Sequence, residues 1–138
     1  MLRKILVAYD GSKSAARAFD FALELARQFS ADLIVLSVAR PPDPPTMVET
    51  SAMLDSATEH FERQFVAFRA AAEAAAVVME SRVVVGHPAE QIVHMAAEEK
   101  ADLIVMGHRG KSVMERWLLG SVSKRVLSYA PCSVTVVR

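Results

Sequence analysis

Short, continuous runs of apolar residues recur along the chain, and amphipathic segments lie between them. A run of this kind is typical of a β-strand that is covered on both faces, as in parallel sheets. Five runs predict such strands, at residues 4–9, 33–38, 81–86, 101–106 and 133–137. The spacing therefore predicts a sheet made of buried strands.

The segments between these runs have apolar residues three and four positions apart, which is the spacing of helices. The first segment follows Asp10-Gly11-Ser12, where Gly11 supplies a turn and either Ser12 or Ser14 can cap the helix. A long helix is predicted over residues 48–77, a third begins near Pro88, and a fourth covers residues 122–130.

A strand, a helix and a second strand open the chain, which predicts a βαβ unit with parallel strands and a right-handed crossover. Parallel strands bind ligands at their carboxyl ends. Asp10 and Gly107 each follow a predicted strand, so we expect them to face one crevice. A chain of 138 residues is predicted to form one α/β domain, residues 1–138.

Composition and charge exclude several function classes. The 16 basic residues balance the 16 acidic residues, so nucleic acid is not an expected partner. No apolar run approaches the ~20 residues that cross a bilayer, so no membrane partner is expected, and the direct start into a strand predicts a cytoplasmic location. The single cysteine, Cys132, is expected to fill space rather than to serve redox chemistry.

The glycine-rich segment after the fourth predicted strand carries the clearest candidate chemistry. It reads Gly107-His108-Arg109-Gly110, then nine residues, then Gly120-Ser121-Val122-Ser123 at a predicted helix start. Glycines let the backbone approach a ligand, and the helix start adds N–H groups and serine hydroxyls that suit a polyphosphate. Alternatively, the glycines only shape the loop. The segment is not a Walker A loop, because Val105 stands where that motif needs a glycine.

The pattern Gly-x2-Gly-x9-Gly-Ser resembles the ATP-binding signature of the universal stress proteins. Residues 4–12, 101–107 and 130–138 resemble the opening strand and turn, the fourth strand and the closing strand of that family. The resemblance implies a single-domain Rossmann-like fold of the adenine nucleotide alpha hydrolase-like type. It further implies a five-stranded parallel sheet in the order 3-2-1-4-5 with helices on both faces, an order that the pattern alone leaves open.

The resemblance also implies which residues hold the nucleotide. The phosphates and ribose are expected at Gly107, Gly110, Gly120, Ser121 and Ser123, with the backbones of Arg109 and Val122 lining the same loop. The adenine and ribose are expected beside Ala8, Tyr9, Asp10 and Val38, with Met106 packed nearby. The implied cofactor is ATP with Mg²⁺ or Mn²⁺, and no residue is expected to ligate the metal directly or to act as a catalyst.

Two of the residues at this crevice have alternative roles. Asp10 is expected to hydrogen-bond the nucleoside or to lie near a phosphate-bound magnesium ion, and its alternative role is to cap the first helix. His108 lies in the glycine loop and is expected to be a surface or hydrogen-bonding residue rather than a catalyst.

Two further segments bear on partners. Prolines crowd residues 41–45, which predicts a stiff connector; a lid over the site and a segment that docks an unidentified protein partner are the alternatives. The last strand is rich in valine, and an edge strand of this kind needs protection. Because universal stress proteins commonly dimerise through this strand, the resemblance implies a homodimer joined from Ser133 to Arg138.

The function implied by the resemblance is that of an ATP-binding universal stress protein, a nucleotide-dependent regulator of stress adaptation with at most weak ATP hydrolysis. One alternative is a slow ATPase or a phosphoryl or nucleotidyl transferase in the same crevice, with Arg109, Lys111 and Arg116 as candidate cations. The other alternative is an interaction module that holds no nucleotide.

Overall fold

A computed structural model describes residues 1–41, 47–109 and 119–138 of the chain. Strands and helices alternate from the first element to the last. Their bounds are β1 Lys4–Ala8, α1 Lys13–Phe29, β2 Asp32–Ala39, α2 Met47–Ala74, β3 Met79–Val85, α3 Pro88–Glu98, β4 Leu103–Gly107, α4 Ser121–Tyr129 and β5 Ser133–Val137.

The five strands form one parallel sheet in the order β3-β2-β1-β4-β5. This order confirms the arrangement that the family resemblance implied. Ala8 at the end of β1 pairs with Leu36 on one side and with Met106 on the other. The carboxyl ends of the three central strands therefore meet at one edge of the sheet, where parallel sheets hold their ligands.

Each face of the sheet is covered by helices, as expected. Side chains alternate along β1, so that Ile5 and Val7 enter one core and Leu6 enters the other. Phe19 of α1 and Phe65 of α2 fill the first core. The second core lies against α3 and α4, and its members include Ile92 and Val126.

Several predicted boundaries were wrong by a few residues, and the backbone shows why. The long helix ends at Ala74 rather than at residue 77, because Ala76 takes a left-handed conformation with φ 55° and Val77 donates its N–H to Ala72. The fourth strand begins at Leu103 rather than at residue 101, because Ala101 still closes α3 through a bond to the Ala96 carbonyl. The third strand begins at Met79, two residues before the predicted start.

Cys132 lies beside the second core and is half-buried. Burial raises the pKa of its thiol, so the reactive thiolate is disfavoured. Among the described residues, no helix has the length and apolar character that a membrane span requires.

Candidate functional site

A cavity of about 590 Å³ opens at the carboxyl edge of the sheet, where β1, β2 and β4 end and α4 begins. It brings together all of the predicted site residues except Gly110, which lies outside the described residues. The predicted residues that line it are Ala8, Tyr9, Asp10, Val38, Met106, Gly107, Arg109, Gly120, Ser121, Val122 and Ser123. Segments from both ends of the chain therefore meet in one site.

The start of α4 presents backbone donors to this cavity. Gly120 is the N-cap residue, with an extended backbone, and no side chain caps the helix within the described part of the chain. The first turn also lacks an acidic residue. At α1, by contrast, the Ser12 hydroxyl accepts a hydrogen bond from the Ala15 N–H at 3.1 Å. The N–H groups at the start of α4, which form the positive end of the helix dipole, can therefore interact favourably with an anion.

The two serines of this turn have different surroundings. Ser123 is 3% exposed, and its hydroxyl donates to the carbonyl oxygen of Gly107 at 2.9 Å. This bond fastens α4 to the end of β4, so the hydroxyl proton that we expected on a phosphate goes to the backbone. Ser121 is exposed at the cavity and is the serine of the pair that is open to a ligand.

Helix packing by itself requires a glycine at position 107, and the expected approach of a ligand to Gly107 stays a prediction. A Cβ at this position would lie 2.3 Å from the Ser14 hydroxyl oxygen, 2.8 Å from the Ser14 carbonyl carbon and 2.9 Å from the Ala15 nitrogen. The first turn of α1 thus packs directly against the end of β4. The Ser14 hydroxyl also donates to the Arg109 carbonyl at 2.8 Å.

The sequence left open whether Ser12, Ser14 or Asp10 caps α1, and the structure assigns the role to Ser12. The Asp10 carboxylate instead accepts a hydrogen bond from the Ser12 N–H at 2.9 Å. The N-cap alternative for Asp10 is therefore wrong. This short turn holds an exposed carboxylate among the residues that line the cavity.

Tyr9 lines the cavity, but its ring belongs to the first core. The ring packs edge-on against Phe68, with 4.9 Å between centroids, and the hydroxyl donates to Gln64 of α2. The Tyr9 carbonyl accepts a bond from the Ser37 hydroxyl at 2.6 Å. Burial raises the pKa of the phenol, so Tyr9 stays a neutral group at this site.

His108 does not line the cavity. Its Nδ1 atom is buried without a hydrogen-bond partner among the residues that the structure describes. Burial lowers the pKa of the imidazole, and the charges of Arg109 and Arg138 lower it further. The ring is therefore neutral at neutral pH, and its expected non-catalytic role stays a prediction.

Sequence reasoning missed several residues of the cavity. These are Ala15, Leu36, Arg40, Ile92, Leu119 and Lys124. Arg40 directly follows β2, and its place at the carboxyl end of a parallel strand is a signal that could have identified it. Ile92 lies on α3, and nothing in its local sequence distinguishes it from an ordinary core residue.

Comparisons with known proteins match one protein family over the full length of the chain. A model of the universal stress protein family matches residues 1–138. A universal stress protein of Thermus aquaticus is 38% identical over 142 residues, covering 100% of both chains. The universal stress protein YxiE of Bacillus subtilis is 36% identical over 152 residues, again covering 100% of both chains.

Solved structures show the same relationship. The universal stress protein UspA from Lactobacillus plantarum superimposes with a TM-score of 0.84 at 28% identity, over 99% of this chain and 97% of that one. A universal stress protein in complex with cAMP gives a TM-score of 0.76 at 30% identity, over 99% of this chain and 97% of that one.

Proposed function

The chain belongs to the universal stress protein family, and from that premise we propose that it is an ATP-binding regulator of stress adaptation. The nucleotide occupies the cavity at the carboxyl edge of the sheet. The observation that carries this proposal is the uncapped start of α4, which faces a cavity that also has an apolar wall.

The lining of the cavity offers the two kinds of surface that an adenine nucleotide requires. Leu36, Val38, Ile92 and Met106 supply an apolar wall for the base. The turn from Gly120 to Ser123 supplies backbone N–H groups and the Ser121 hydroxyl for phosphate. A volume of about 590 Å³ lies within the usual range of about 300–1,000 Å³ for small-molecule sites.

The cAMP complex of the structural relative supports the same class of ligand, because cAMP is an adenine nucleotide. The divalent metal arrives with the phosphates. Asp10 is the one carboxylate among the described residues that line the cavity. Mg²⁺ usually keeps several of its water ligands, and Mn²⁺ shares its preference for oxygen, so Asp10 suits either ion as a neighbour of the phosphate-bound metal rather than as a direct ligand.

Turnover of ATP is weak under this proposal. Hydrolysis needs a group that activates or orients water, and the one carboxylate among the described lining residues, Asp10, is assigned here to the neighbourhood of the phosphate-bound metal ion. The described part of the chain also holds no cluster of histidine, cysteine and acidic residues suited to a catalytic metal. The regulatory output, the protein partner and the cytoplasmic location stay predictions of the family resemblance.

We further propose that the protein is a homodimer joined through residues 133–138, because the two edges of the sheet differ in chemistry. The edge strand β3 carries Glu80 and Arg82, which form an ion pair at 3.0 Å, and charged residues of this kind deter pairing with another strand. The edge strand β5 consists of serine, threonine and valine. The half-exposed Leu127 lies on α4, the helix that precedes this strand.

The test of nucleotide binding uses the purified full chain. Mass spectrometry of small molecules released on denaturation identifies any ligand that co-purifies, and calorimetry with ATP and Mg²⁺ measures affinity. We expect saturable binding with one site per chain. A chain that releases no nucleotide and gives no heat with ATP would be the interaction module that the sequence left open.

A further inference from the structure

The charges around the cavity are unbalanced. Among the described residues that line it, three are cations, namely Arg40, Arg109 and Lys124, and one is a carboxylate, Asp10. The described lining therefore carries a net charge of +2, whereas the whole chain has a formal net charge of zero. A local excess of this kind attracts an anion with more than one charge.

Arg40 and Lys124 approach the cavity from different sides of the central strand. Arg40 follows the end of β2, and Lys124 is the fourth residue of α4. β1 lies between β2 and β4 in the sheet, and the Ser123 hydroxyl ties the start of α4 to the end of β4. The two cations therefore flank the site.

The side chains of Arg40 and Lys124 are both exposed, and neither forms an ion pair with another described residue. Many other cations of the chain do pair with a glutamate. They include Lys4, Arg27, Arg63, Arg69, Arg82 and Arg125. Arg125, one position after Lys124, pairs with Glu90 at 3.9 Å and does not line the cavity. The two cavity cations are thus available to a ligand.

The place of Lys124 is unfavourable for the free protein. A cation in the first turn is repelled by the partial positive charge of the helix start. The usual remedy, an acidic residue in that turn, is absent from α4. An anion at the turn from Gly120 to Ser123 would interact favourably with both the helix start and the lysine.

We propose that Arg40 and Lys124 make this site selective for adenine nucleotides with a polyphosphate chain over adenine nucleotides with one phosphate. The inference rests on the proposed nucleotide site and specifies its ligand class. Each added phosphate brings further anionic oxygens into a cavity with two available cations, whereas AMP and the singly charged cAMP bring few. The two residues are specificity determinants of binding and take no part in chemistry.

The experiment measures the affinities of ATP, ADP, AMP and cAMP by calorimetry at one ionic strength, in whichever of Mg²⁺ or EDTA gives tighter binding. The variants are Arg40→Gln, Lys124→Gln and the double variant. Matched controls remove charges that the cavity does not use, in Arg125→Gln beside Lys124 and in Arg63→Gln on α2.

We expect the wild type to prefer ATP over AMP and cAMP. Each cavity variant should weaken ATP binding by roughly fivefold, as for one exposed charge contact, and AMP binding by less than about twofold. The ratio of ATP to AMP affinity should then fall furthest in the double variant and stay constant in both controls.

Three results would overturn the inference. Wild-type protein that binds AMP or cAMP as tightly as ATP lacks the selectivity, although it still has the proposed nucleotide site. If the Arg40 and Lys124 variants keep the wild-type ratio of ATP to AMP affinity, other groups set the selectivity. Wild-type protein that binds none of the four nucleotides contradicts the proposed function itself.

Discussion

The hydroxyl of Ser123 donates to the carbonyl oxygen of Gly107 at 2.9 Å, across 16 residues of sequence, and so joins the start of α4 to the end of β4. This bond sets where the backbone donors of α4 lie relative to the sheet. The phosphate end of the proposed site therefore depends on a buried bond within the protein.

Replacing Ser123 with alanine should destabilise the protein, because the buried Gly107 carbonyl loses its donor. An unsatisfied buried group of this kind costs about 1–3 kcal/mol in the free energy of unfolding, which urea denaturation measures. The control is Ser128→Ala, which removes an exposed bond from the same helix to the Lys124 carbonyl. Equal stability losses in the two variants would contradict the structural role of Ser123.

Gly107→Ala should also destabilise the fold, since the new Cβ meets the backbone of α1 at 2.8 and 2.9 Å. Overpacking of this kind typically costs about 1–3 kcal/mol. The control is Gly86→Ala, where the nearest atoms, at 2.8 Å, belong to the flexible side chain of Gln91. Thermal unfolding of both variants checks this difference, and a Gly107→Ala protein as stable as the wild type would contradict it.

Gly120→Asp should weaken nucleotide binding while the fold becomes slightly more stable. Its carboxylate would cap the free N–H groups of α4 and repel phosphate, and the extended backbone of Gly120, with φ −64° and ψ 154°, admits any residue. We expect a gain of a few tenths of a kcal/mol in stability and a loss of detectable ATP binding in calorimetry. Gly120→Val should likewise prevent binding in a folded chain. Wild-type affinity in both variants would remove the start of α4 from the site.

Val136→Pro should convert the proposed dimer to a monomer. The Val137 carbonyl accepts a hydrogen bond from the N–H of His108, directly after β4. By alternation the Val136 N–H therefore points to the free edge, where proline removes a donor. Val83→Pro is the matched control, because the Gly86 N–H bonds to β2 and the Val83 N–H therefore points away from it. Sedimentation at micromolar concentration reports the assembly.

A dimer interface in solution should exceed ~1,000 Å² in total, which is enough to persist at that concentration. A wild-type monomer would contradict the dimer proposal. A dimer that Val83→Pro disrupts and Val136→Pro leaves intact would place the interface on the opposite edge.

The protein should become less stable as the pH is lowered, and protonation of His108 should account for part of this loss. Its folded-state pKa lies below the ordinary value of 6.5, so the unfolded state binds the proton more readily. The stability that the neutral His108 ring contributes is fully present above pH 6.5. It is lost as the pH falls from 6.5 to the lower pKa of the folded state. Urea unfolding between about pH 5 and pH 7.5 measures the free energy of unfolding of the wild type and of His108→Gln. As the pH is lowered, this free energy should decrease less in the variant than in the wild type. Parallel curves would contradict this.

The predicted connector at residues 41–45, its alternative as a lid and the role of Gly110 stay predictions, because residues 42–46 and Gly110 lie outside the described residues. Limited proteolysis near residues 46–50 with and without ATP separates a lid, which ATP would protect, from a connector, which it would not.

The sequence by itself determined the elements of this protein and the edge of the sheet at which the candidate cavity lies. Buried parallel strands require apolar runs, and helices require an apolar stripe, so both are visible locally. The order of the strands came from the family resemblance, since crossover connections do not encode which strands become neighbours. Gly120 and Ser121 could also be identified from the sequence, because they form one local turn.

The tertiary structure alone decided what each polar group contacts. Gly107 is required by α1, which is distant in sequence, and Ser123 bonds to the end of β4 rather than being left free for a ligand. Arg40 and Lys124 belong to the cavity because of how β2 and α4 flank the central strand. A side chain's partners depend on packing between segments far apart in the chain, and local patterns of residues do not record that packing.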